Sequence, residues 1–151
     1  MGLRFKLAAV FFSLLLAATC AGMAYGQKEE TVPAQAPGTV EPGQRLVLKQ
    51  ASMCERVENF NPVRPGLTFS VSTGQVSCYT SFDPVPQPTV IYHRWFRRDE
   101  LSTQTRLRLY PPKWSTYSVI QLRETDKGPW RVEILDQNGH IFDVIRFSIT
   151  D

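Results

Sequence analysis

The run Pro88-Thr89-Val90-Ile91-Tyr92-His93-Arg94-Trp95-Phe96-Arg97-Arg98 is dense in β-branched and aromatic residues, follows a cluster of prolines and closes on charge. That is the composition of a strand. Alternation sends Ile91, His93 and Trp95 to one face and Val90, Tyr92, Arg94 and Phe96 to the other, so both faces carry apolar mass. A strand loaded on both faces is central. The Ile91/His93/Trp95 side is the core side, because tryptophan buries more apolar area than any other residue and Arg94 opposite is left to reach solvent. His93 then reads as a framework residue, a neutral imidazole hydrogen-bonded to a backbone or hydroxyl group. A ligand or proton-transfer role for it lacks a companion group.

Further strand signals recur at short spacing: Arg45 to Met53, Leu67 to Ser72, Gln75 to Phe82, Thr103 to Tyr110, Trp114 to Leu122, Pro129 to Asp136 and Ile141 to Thr150. No segment sustains a helical period for long, and the nearest candidate for a short helical turn, interrupting the edge, is Gln50 to Glu58. The pattern predicts an all-β domain, a single immunoglobulin-like antiparallel β-sandwich of about seven strands. Between the last two strands, Asp136-Gln137-Asn138-Gly139 predicts a tight hairpin in which Asn-Gly supplies positive φ. Calcium ligation by Asp136 and Asn138 is the weaker alternative, since later acidic ligands are missing. Trp130, Val132 and Ile134 share one face with Ile145, Phe147 and Ile149, and together with Leu107, Leu109, Ile120, Leu122, Val76, Cys78 and Phe82 they supply the core. Trp95, Trp114 and Trp130 are framework residues in this reading.

Ahead of the domain, Arg4 and Lys6, the apolar run Leu7 to Ala18 and the small-residue end Ala24-Tyr25-Gly26 read as a secretory signal peptide over residues 1–26. The apolar run is too short to remain as a transmembrane anchor. Leu16-Ala17-Ala18-Thr19-Cys20 loosely matches a lipoprotein box, with Thr19 against it. Residues 27–43, rich in Pro, Gly, Ala and Glu, form a flexible linker, and residues 44–151 form the sandwich domain. Without Arg4 and Lys6 the 17 basic residues fall to 15 against 14 acidic, and the net charge from +3 to +1. That balance gives little drive toward nucleic acid.

Loss of Cys20 with the leader leaves Cys54 and Cys78 in a disulfide-permissive compartment. The even pair reads as one bridge, closing a loop of about 25 residues and stabilising by roughly 3 kcal/mol. Two buried free thiols are the alternative. Two cysteines without a nearby histidine fall short of a metal site.

No serine sits in a nucleophile elbow, and the carboxylates lie beside arginines as cross-strand charge, so the sequence predicts neither catalytic residues nor a cofactor. The positive residues instead gather around the central strand and the next one. Tyr92, Arg94, Arg106, Arg108 and Tyr110, with Gln104, fall on one outward face if the two strands pair, a basic and aromatic surface suited to an anionic or sugar-containing polymer. An ordinary solvated face is the plainer reading.

Several blocks occur in order: Met53-Cys54-Glu55-Arg56-Val57-Glu58-Asn59, Val76-Ser77-Cys78-Tyr79-Thr80, Tyr92-His93-Arg94-Trp95-Phe96, Trp114-Ser115-Thr116-Tyr117-Ser118, and Gly128-Pro129-Trp130-Arg131-Val132-Glu133 with Asp136, Gly139 and Phe147. Together they resemble domain of unknown function family 2914 of bacterial envelope proteins, over nearly all of the folded domain. The resemblance implies a bacterial periplasm or cell-envelope location and carries no activity, cofactor or catalytic residue. Where that family tends toward Trp-Arg-Thr-Trp-Ser, this chain has Trp114-Ser115-Thr116-Tyr117-Ser118. Three functional readings compete: a non-catalytic binding module for envelope polysaccharide, a structural partner docking another envelope protein, and a small enzyme of unknown type.

Overall fold

The computed structural model describes residues 44–151. The leader, the lipoprotein box and the linker fall outside the described residues. Among the described residues nine strands occur in chain order: β1 (Leu48–Glu58), β2 (Asn61–Pro65), β3 (Thr68–Ser70), β4 (Gln75–Phe82), β5 (Thr89–Arg97), β6 (Glu100–Leu109), β7 (Trp114–Gln121), β8 (Gly128–Asp136) and β9 (Ile141–Thr150). They form a four-stranded sheet of order β2-β1-β4-β7 and a five-stranded sheet of order β3-β9-β8-β5-β6. The all-β class is therefore correct, but the expected seven antiparallel strands become nine, and β3 runs parallel to β9.

The differences trace to local chemistry. Pro62 and Pro65 disguise β2, which is tolerated because it lies at a sheet edge where a missing amide donor costs little. No helical turn interrupts Gln50 to Glu58, which is continuous strand within β1. The strand expected over Leu67 to Ser72 is cut short at Ser70. Its hydroxyl accepts from the Ser72 amide and starts a 3-10 turn over Val71–Thr73, which Gly74 ends at φ 75°.

Two of the hairpins use two-residue turns without glycine: Asn59 and Phe60 at φ 49° and 58°, and Arg98 and Asp99 at φ 47° and 69°. In the β8–β9 turn only Gly139 is left-handed, at φ 86°. Asn138 therefore does not share the positive φ expected of it. The Asp136 carboxylate instead accepts from the Asn138 and His140 amides at 2.8 and 2.9 Å, holding the turn from within.

Between the sheets, Phe147 is the hub of the aromatic core. Trp95 and Phe69 meet it edge-on at 6.1 and 6.2 Å, and Trp130 stacks on it at 6.2 Å. The smaller sheet contributes Met53, Val76, Cys78 and Phe82 to the same cluster. Trp95 is completely buried on the interior strand β5, between β6 and β8.

The expected Cys54–Cys78 bridge is not formed: both cysteines are free and buried. The register explains why. Met53 stands opposite Cys78 and Cys54 opposite Ser77, so the two thiols are offset by one residue on neighbouring strands. A one-residue offset puts them on opposite faces of the pleat. Cys78 faces the core, and Cys54 lies on the outer side with its thiol toward the Ser77 carbonyl at 3.7 Å. Burial raises both thiols above the ordinary cysteine value, which disfavours the thiolate that reacts.

Two predictions follow from this core. Trp95→Ala should destabilise the domain by roughly 3 to 5 kcal/mol in urea unfolding, from lost burial and an unfilled cavity. Alkylation of the denatured, unreduced protein followed by peptide mapping should find Cys54 and Cys78 each singly modified, whereas the native protein should leave both unlabelled.

Candidate functional site

Pairing of β5 with β6 sets Val90 opposite Arg108, Tyr92 opposite Arg106 and Arg94 opposite Gln104. Opposed residues share a face, so Tyr92, Arg94, Gln104, Arg106 and Arg108 lie together on the outer side of the five-stranded sheet. Arg94 Nε donates to Gln104 Oε1 at 2.8 Å, which aligns the guanidinium along the sheet. Arg106 and Arg108 are exposed, while Tyr92 and Arg94 are half-buried.

Continuing across β8, Arg94 faces Glu133, and Phe96 faces Arg131. Arg131 is committed locally: it sits 3.9 Å over the Phe96 ring and pairs with Glu133 at 3.3 Å and with Asp99. By contrast Arg94, Arg106 and Arg108 have no carboxylate within 4.0 Å among the described residues. Their charge is available to a ligand.

Tyr110 lies one residue beyond β6, at the end of the sandwich. It lines a shallow cavity of about 370 Å³ with Arg106, Arg108, Gln87 and Gln137. Its ring meets Trp114 edge-on at 5.0 Å. Trp114 is 38% exposed and so is not a framework residue. As the first residue of β7 it escapes the core and lines a second cavity of about 550 Å³, with Lys49, Ser81, Asp83, Lys113 and Ser115. Sequence reasoning missed this site, since its residues come from separate strand ends. The Pro-Pro-Lys-Trp string before β7 was the available signal.

His93 belongs to the interior. Its Nδ1 is 2.8 Å from Ser118 Oγ, and its Nε2 3.3 Å from Thr80 Oγ1. Trp95 Nε1 also donates to Ser118 Oγ at 3.1 Å, and Thr80 donates to the Thr116 carbonyl. One arrangement satisfies every group: Trp95 N–H to Ser118, Ser118 O–H to Nδ1, Nε2–H to Thr80, and Thr80 O–H to the carbonyl. Burial lowers the imidazole to about 3, so it is neutral at ordinary pH. Among the described residues there is no cluster of three or more His, Cys, Asp and Glu able to hold a metal.

Comparison with family models matches residues 88–149 to a protein family of unknown function, DUF2914. This segment belongs to that family. The DUF2914 segment runs from the start of β5 almost to the end of β9, so it contains the arginine face, Tyr110 and Trp114. It begins after Cys54 and Cys78, and the two blocks around those residues lie outside it. No curated protein matches the chain.

The buried histidine makes acid sensitivity predictable. Because its folded value lies below the ordinary 6.5, the folded state takes up fewer protons than the unfolded chain. Stability from this group is complete above about pH 6.5 and falls as the pH drops toward 3, by roughly 1 kcal/mol per pH unit. His93→Gln, which keeps a polar side chain but cannot titrate, should show a shallower acid dependence in urea unfolding across that window.

Proposed function

We propose that the domain is a non-catalytic binding module of the bacterial envelope, which takes an anionic or sugar-containing polymer on the outer face of β5 and β6. The observation that carries this reading is the row Arg94, Arg106 and Arg108, without carboxylate partners among the described residues and in register beside Tyr92. Guanidinium groups bind carboxylate and phosphate through paired N–H donors, and an adjacent aromatic ring offers a flat apolar surface to a sugar. Export rests on the leader-like residues 1–26. The row of arginines suits that location, since anionic polymers are characteristic of a cell envelope.

An immunoglobulin-like arrangement supports the same reading, because such sandwiches commonly serve as binding modules. Two features support it. An interior strand, β5, carries the buried tryptophan, and β3, at the edge of the five-stranded sheet, runs parallel to the last strand β9. Where an immunoglobulin domain places a cysteine pair between sheets, this chain has a free Cys78 in the core cluster.

Docking of an envelope protein is the second reading. It is favoured by β6, which has β5 as its one sheet neighbour and exposes Leu101 by 57%.

Polygalacturonate, with neutral dextran as control, distinguishes the two. Arg106→Ala/Arg108→Ala should weaken polygalacturonate binding about tenfold or more, while each substitution changes stability by no more than about 0.5 kcal/mol. Wild-type binding should also weaken as salt rises. Unchanged binding by the double variant would remove the arginine row from the site. Export is checked separately: the protein recovered from a bacterial host should begin near Gln27.

A further inference from the structure

We infer that the site does not stop at the sheet face: the two cavities form one track around the end of the sandwich that holds a linear acidic polysaccharide, with Trp114 as its stacking platform. This inference rests on the proposed polymer-binding reading and extends it to a second, separate set of residues.

Three observations carry it. First, the cavities adjoin through a single aromatic contact, because Tyr110 lines one, Trp114 lines the other, and their rings are 5.0 Å apart. Both rings are exposed, at 41% and 38%. Each exposed ring face is a flat apolar surface that suits the apolar face of a sugar, and the edge-on contact holds the two rings against one another.

Second, the cations extend along the same path. Arg106 and Arg108 border the first cavity, Lys113 and Lys49 the second. None of the four has a carboxylate within 4.0 Å among the described residues. Unpaired positive charge on both sides of an aromatic bridge complements a chain that repeats an acidic group, whereas a single small anion needs only one such pocket.

Third, the second cavity is not uniformly basic. Asp83, Ser81 and Ser115 line it beside the lysines. A carboxylate there opposes a bare polyanion but accepts hydrogen bonds from sugar hydroxyls, so the mixture selects a polyhydroxylated acidic chain over polyphosphate or an acidic peptide. The acid groups of the bound chain lie toward Lys49 and Lys113, and its hydroxyls toward Asp83 and the serines.

The test uses short and long oligogalacturonates, with polyglutamate as a sugar-free polyanion, on the full chain. Trp114 is the exposed tryptophan, since Trp95 and Trp130 are 0% and 5% exposed, so acrylamide quenching reports on it directly. Long oligogalacturonates should bind more tightly than short ones and shield Trp114 from quenching. Trp114→Ala should weaken the long oligomer about tenfold and abolish most of its advantage over the short one. Lys49→Gln/Lys113→Gln should flatten the salt dependence of long-oligomer binding. Should Trp114→Ala bind the long oligomer like wild type while Arg106→Ala/Arg108→Ala does not, the track is wrong and the sheet-face reading stands. Equal binding and equal shielding by polyglutamate would overturn the saccharide assignment. Wild-type protein that binds no oligogalacturonate overturns both.

Discussion

Two sheets that meet through apolar side chains can slide, and what stops them here is a chain of hydrogen bonds in the dry interior. His93 and Trp95 on β5 reach across to Thr80 on β4 and Ser118 on β7. Each of these groups loses water on folding, so a displacement that breaks one bond leaves buried donors and acceptors without partners. The network therefore tolerates one alignment of the sheets. That alignment also brings the ends of β6 and β7 together, and with them Tyr110 and Trp114.

Residues whose role depends on alternation alone were legible in the sequence. Ile91, His93 and Trp95 alternate on a strand, and the structure buries all three; the pairing of Tyr92 with Arg106 likewise needed only that two consecutive strands form a hairpin. What alternation cannot reveal is register between strands distant in sequence. Cys54 and Cys78 look like a pair because they are two in number and well separated, but a shift of one residue in the β1–β4 register decides which side of the sheet each faces. Nothing local to either cysteine encodes that shift.

Trp114 was misread for a related reason. A tryptophan heading a strand of mixed polarity has the composition of a core residue, yet its position at the strand's first residue lets it point past the sandwich rim. The family match shares this limit: it spans the residues of the arginine face and of Trp114, and identifies a shared pattern without assigning a task to it. The spatial meeting of Lys49, Ser81, Lys113 and Trp114 comes from three strand ends and one loop, a combination visible only after folding.

The separation of the two thiols by the thickness of one sheet bears on how such a chain is made. The bonds that align the two described sheets run between hydroxyl, indole and imidazole groups, and none of them needs an oxidant to form. The alignment of the sheets therefore rests on contacts that are indifferent to the redox state of Cys54 and Cys78.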